Sequence, residues 1–143
     1  MTPPPTVRHD GSGLAGLVAL AAAGGAVGAV LRHLLTLTTD GDGLLGVTLV
    51  VNAVGSLLLG LLPLIDGVRR SEGWRVAVGP GLLGGFTTLS AVNEQSRSLL
   101  AHDRVLLAGG YLIGTLVVCV GAATLAALVV SRVAADRAGR RRT

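Results

Sequence analysis

The chain has 143 residues, half of them hydrophobic and only 14% charged, with a mean hydropathy of +0.69. That balance excludes an ordinary soluble domain and makes a lipid bilayer the expected solvent of one membrane domain. The net charge of +4 and the isoelectric point near 11.0 come entirely from arginine, since the chain has no lysine, and the arginines lie mostly in the tail and short loops. This distribution reads as a topology signal and not as a nucleic-acid-binding face.

Residues 1–12 carry three prolines and polar residues and read as a flexible tail. Residues 13–131 hold four runs with few or no charges, each long enough for a helix to cross the hydrocarbon core at about 1.5 Å of rise per residue. The expected spans are about 13–37, 44–65, 76–100 and 104–131, so the fold class is an all-α integral membrane protein of four transmembrane helices. Ala21-Ala22-Ala23 resembles a cleavage site after an apolar run. Only Arg8 precedes that run, however, and the run exceeds a typical signal-peptide core. Residues 132–143 are a basic C-terminal tail with Arg132, Arg137, Arg140, Arg141 and Arg142, expected to be disordered in water or to lie on anionic headgroups.

Four spans put both termini and the loop Asp66 to Arg75 on one side, with Arg8, Arg69, Arg70, Arg75 and the five tail arginines. The other side has Arg97 and Arg104, with Arg32 close to the end of span one. The positive-inside rule therefore places both termini in the cytoplasm of a multi-pass protein of the cell membrane.

The third span is the one that breaks pattern. Gly84-Gly85-Phe86-Thr87-Thr88-Leu89-Ser90 puts two glycines and then polar residues at mid-membrane, where a weakened helix leaves carbonyls that protein, water or an ion must satisfy. Close packing accounts for the spacing of Gly81 with Gly85, Gly24 with Gly28 and Gly110 with Gly114. It does not account for Thr87, Thr88, Ser90, Asn93, Glu94 and Gln95, so packing and a polar pathway stand side by side. Depth arithmetic brings Asn52 in span two to the level of the break, while Tyr111, Thr115 and Cys119 share one face of span four. Arg32 lies about 20 residues into span one, where it either snorkels to the headgroups or forms a vestibule that attracts anions.

Enzyme chemistry finds little support. Gly79-Pro80-Gly81-Leu82-Leu83-Gly84 matches GxGxxG but has no strand before it, and Ser90 has no histidine placed as its base. Cys119, the only cysteine, excludes an internal disulfide and a zinc cluster.

Three segments together resemble the Fluc (CrcB) family of fluoride channels. They are Gly24-Gly25-Ala26-Val27-Gly28-Ala29-Val30-Leu31-Arg32, Thr48-Leu49-Val50-Val51-Asn52-Ala53-Val54-Gly55, and Gly84 to Ser90, which is similar to the family's GGxTTFS break. The resemblance implies passive fluoride export that lowers cytoplasmic fluoride. It also implies an antiparallel, dual-topology-type dimer with a structural sodium ion held by backbone carbonyls of the break, here Gly84 and Thr87. By the same match, Asn52, Ser90, Tyr111 and Thr115 are the fluoride-pathway candidates, each with an N–H or O–H to donate, and Arg32 is the vestibule candidate.

Departures from the pattern carry information too. Leu89 and Val92 stand where the family has phenylalanines, Ala91 replaces a threonine or serine, and Gln95 stands where a glutamate is usual. Aliphatic side chains lack the positive ring edge that can face an anion. The arginine bias also opposes insertion in both orientations, so the expected assembly is a heterodimer with an oppositely oriented paralogous subunit. A small multidrug-resistance-type transporter needs a membrane-embedded acid in span one, which residues 13–37 lack. A non-conducting structural subunit is the remaining alternative.

Overall fold

The computed structural model describes residues 11–37 and 39–140. It is all-helical: α1 spans Gly11–Thr36, α2 Gly43–Leu61, α3 Asp66–Arg70, α4 Glu72–Val76, α5 Gly84–Phe86, α6 Leu89–Ala101 and α7 Val105–Arg140. A single 3₁₀ turn at Leu62–Leu64 follows α2, and a π-helical stretch at Ala77–Leu83 joins α4 to α5.

Three of these segments, Gly13–Thr36, Gly43–Leu64 and Val105–Arg140, are long and apolar enough to cross a membrane. Their surfaces agree with that solvent: Val27, Leu34, Ile113, Leu116 and Leu106 stay largely exposed, the last at 93%. Apolar exposure on this scale suits lipid and is foreign to a soluble monomer. The chain is an integral membrane protein.

The segment expected as the third span is a chain of shorter helices with a break. Its first part, from α4 through α5, packs against α1, whereas α6 packs against α7, and α2 lies along α7. The break thus carries the chain from one helix partner to another. Glycines make the first contact close. A Cβ at Gly24 would strike the Ala77 carbonyl, one at Gly28 the Leu82 carbonyl, and one at Gly85 the Gly25 backbone. Gly24 with Gly28 and Gly81 with Gly85 are therefore the two halves of one backbone-to-backbone seam. Gly110 and Gly114, read from spacing as a third such pair, meet no neighbour within 4 Å.

Pro80 sits inside the π-helical stretch. It has no N–H to donate and its ring crowds the carbonyl one turn back, and a widened turn accommodates both defects. This same stretch carries the GxGxxG match, so a helix stands where a dinucleotide site needs a strand and a turn.

Of the two readings of the tail, the structure bears on disorder. α7 runs unbroken to Arg140, so the basic segment is helical and not disordered over the described residues. Ala134, Ala135, Arg137 and Ala138 are strong helix formers, and the apolar helix before them supplies the costly nucleus.

Candidate functional site at the helix break

The break is narrower than the glycines suggest, because Gly84 to Phe86 are helical and only Thr87 and Thr88 are extended, at ψ 155 and 119. Gly85 is fixed by its seam with α1 and does not open the helix. The opening is fixed instead by Asn52 on α2. Its Nδ2 donates to the Thr88 carbonyl at 2.9 Å, and its Oδ1 accepts the Thr88 N–H at 2.7 Å. One side-chain amide thus satisfies both backbone groups of the residue at the break, inside a buried site. Gly55, nearly one turn further along α2, leaves room for the Thr87 methyl, which a Cβ there would strike.

Thr88 then starts the next helix. Its Oγ1 accepts the N–H of Ala91 at 3.1 Å, as an N-cap does, and lies 3.0 Å from Ser90 Oγ. The Thr88 and Ala91 N–H groups are therefore engaged away from the Gly84 and Thr87 carbonyls, which a continuous helix would have paired with them. Released carbonyl oxygens are hard ligands of the kind that suits a sodium ion, and Gly84 is exposed. On donor chemistry, the two expected positions fit.

A second polar cluster lies between α2, α6 and α7, nearer the end of the molecule where α2 begins. Gln95 Nε2 donates to Thr48 Oγ1 at 2.9 Å, while Gln95 Oε1 accepts the Tyr111 hydroxyl at 2.6 Å. Thr115, one turn beyond Tyr111, is buried, and its hydroxyl has no hydrogen-bond partner among the described residues; the same holds for Ser96. Gln95 belongs to the polar run that raised a pathway from sequence, but neither it nor Thr48 was among the fluoride-pathway candidates. Thr48 sits one turn before Asn52 on the same face of α2, which was the available signal.

Arg32 does not point only toward headgroups. Its Nε lies 3.5 Å from the Gly85 carbonyl, and with Thr36, Thr48, Thr88 and Gln95 it lines a hollow of about 210 Å³ beside the break. A second hollow of about 380 Å³ shares Leu44 and Gln95 with the first and extends to Asp42, His102 and Arg104. Together they trace a groove from one end of the molecule to the break, its mainly apolar wall set with these polar side chains and Gln95 at the junction.

Ser90 is not gathered into that groove. It is exposed, beside Leu89, Asn93 and Leu112. The two positions with aliphatic side chains in place of phenylalanine also diverge: Leu89 is 77% exposed and Val92 only 1%. Asn52 and Thr115 therefore belong to the interior of the chain, Tyr111 is half-buried, and Ser90 and Leu89 lie on the surface.

Comparison with known proteins bears directly on this arrangement. Residues 19–127 match the family described as CrcB-like protein, Camphor Resistance (CrcB), a stretch that includes α2, the break and most of α7. The chain belongs to the CrcB family. Among its relatives are proteins named fluoride-specific ion channel FluC. One, from Caulobacter sp. (strain K31), is 36% identical over 119 residues, 79% of this chain and 92% of the relative. Another, from Sphingopyxis alaskensis, is 43% identical over 101 residues, covering 66% and 79%. A protein of Nocardia farcinica named fluoride-specific ion channel FluC 2 is 38% identical over 110 residues, covering 71% and 76%. The CrcB match spans the Asn52–Thr88 clamp and the Thr48–Gln95–Tyr111 cluster alike.

Proposed function

We infer that this CrcB-family chain is a subunit of a fluoride channel of the cell membrane, with both termini cytoplasmic, that lowers cytoplasmic fluoride by passive export. The observation that carries the reading is the clamped break, with a groove of donors leading to it, in a chain whose relatives are named for fluoride. Fluoride is small and tightly hydrated, so a pore must replace its water with hydrogen-bond donors. Arg32 draws the anion into the hollow beside the break, and behind its Thr48–Gln95 wall the hydroxyls of Tyr111 and Thr115 and the second amide hydrogen of Asn52 are the donors that replace water. Asn52 thereby has two tasks, holding the break and lining the path. The chain is a conduit and not an enzyme.

The broken helix pair acts as the third of four crossings. Ser90, Asn93 and Gly84 then lie exposed at membrane depth, where lipid cannot satisfy them. A second subunit covers this face in an antiparallel dimer, and each chain brings its Gly84 and Thr87 carbonyls to the centre. A sodium ion bound there would neutralise four converging carbonyl dipoles. The partner is a paralogue of opposite orientation: the arginine bias fixes this chain's insertion, and Leu89 and Val92 leave ring edges to be supplied by the other subunit.

Fluoride efflux from liposomes containing this chain alone, the paralogue alone, or both tests the reading. Flux only with both chains, dependent on sodium during purification, is expected. Sodium-containing dimers of this chain alone that pass fluoride would sink the heterodimer. No flux in any arrangement would leave a structural subunit.

A further inference from the structure

At the end of the molecule that carries Arg69, two hollows lie side by side and share Pro63 and Arg69 in their linings. One, of about 350 Å³, adds Leu62, Val68 and Arg75. The other, of about 360 Å³, lies between the turn after α2 and the last turns of α7, and adds Val130, Val133 and Arg137. Each therefore combines apolar walls with two arginines. Arg69 shares its charge with Asp66 in an exposed pair at 2.9 Å. Arg75 and Arg137 make no ion pair among the described residues.

Their depth is equally informative. Between Val105 and Arg132, α7 carries no charge, and those 27 residues rise about 40 Å, the thickness of a bilayer with its headgroups. Arg137 comes one to two turns later, at the outer edge of the headgroup layer. The other arginines share its hollow or the adjoining one. Apolar walls on the membrane side and cations on the water side are the profile of a lipid molecule.

We propose that these paired hollows seat an anionic phospholipid, its phosphate held among Arg69, Arg75 and Arg137 and its acyl chains laid along the Leu62–Val68 and Val130–Val133 walls. A net negative headgroup is required because a zwitterionic one brings its own cation toward three arginines. A free phosphate is a poorer occupant, since it leaves the apolar walls uncovered. The α7 extension is then the wall of a lipid site and not a loose tail. The proposal does not depend on what ion the protein conducts.

The test is the lipid that the full-length protein keeps. It is reconstituted in vesicles of equimolar phosphatidylglycerol and phosphatidylcholine and then extracted into detergent, and retained lipid is counted by native mass spectrometry. Phosphatidylglycerol is expected to be enriched about fivefold over the vesicle ratio. R69Q/R75Q/R137Q should return the ratio to that of the vesicles, and R69K/R75K/R137K should restore the enrichment. R97Q/R104Q, which removes two arginines from the other end, should leave it intact. Retention in the vesicle ratio by the unaltered protein, or undiminished enrichment in a correctly folded R69Q/R75Q/R137Q, would overturn the proposal. So would displacement of the lipid by inorganic phosphate at low concentration, which would make this a simple anion site.

Discussion

Asn52 grips Thr88 at both its N–H and its carbonyl, 36 residues along the chain, and this pair of hydrogen bonds of 2.7 and 2.9 Å holds the third helix open. Removing the grip leaves two buried backbone groups without partners. Asn52→Ala should therefore lower stability in detergent by about 1–3 kcal/mol, read from chemical denaturation. Asn52→Asp keeps the acceptor but sets a second oxygen against the Thr88 carbonyl and buries a charge, so it should cost at least as much as Asn52→Ala. If N52A unfolds at the same denaturant concentration as the parent, the clamp is not what sets the break.

How much of this was legible in the sequence depends on the range of the interaction. α1, α2 and α7 could be read because a run of about 20 apolar residues is a property of one segment. The break was expected within Gly84 to Ser90 and lies there, but Gly85 serves contact with α1 and the opening is confined to Thr87 and Thr88. No local signal separates a glycine that breaks a helix from one that lets another helix approach. Asn52 was placed at the level of the break by depth and read as a pathway donor from the family resemblance, and neither reveals that its amide grips Thr88. Gln95 was noted as a departure from a family pattern, and its link to Thr48 and Tyr111 required the packing of three helices.

The seam between α1 and the π-helical stretch should tolerate no side chain. Gly28→Ala places a methyl against the Leu82 carbonyl and the Phe86 backbone, neither of which is a flexible side-chain end. A loss of at least about 2 kcal/mol is expected, in the range of overpacked contacts. Gly16→Ala is the matched control on the same helix, because its Cβ meets nothing within 4 Å and alanine is the better helix former. Denaturation of the two variants in one detergent checks the contrast, and equal stabilities would remove the seam from the account.

Acid should loosen the end of the molecule that carries Arg104. Its two terminal nitrogens donate to both oxygens of Asp42, at 2.8 and 2.9 Å, joining the loop before α2 to the loop before α7. The bond from Arg104 holds the Asp42 carboxyl below its ordinary range. A depressed folded-state value means that stabilisation is present above the unfolded-state value and is lost as pH falls through the folded-state value. The bridge is exposed, so the effect is small and screened by salt. Melting temperatures of the parent and Asp42→Asn should converge as pH falls below the carboxylate range. A difference that persists unchanged at low pH would mean that the bridge does not supply it.

The two positions with aliphatic side chains in place of phenylalanine should respond in opposite ways. Leu89 stands 77% exposed beside Ser90, so a ring there needs no rearrangement within the chain. Leu89→Phe should keep the parent's stability and, if a ring edge at this surface faces the anion, raise fluoride flux of the assembled channel or confer flux on this chain alone. Val92 is 1% exposed among packed neighbours, and a phenyl ring there exceeds the space available. Val92→Phe should cost about 1–3 kcal/mol through overpacking, with no gain in flux. Liposome efflux and denaturation measured on both variants separate the cases. A stable V92F with raised flux would place the interior valine, and not the exposed leucine, at the pore wall.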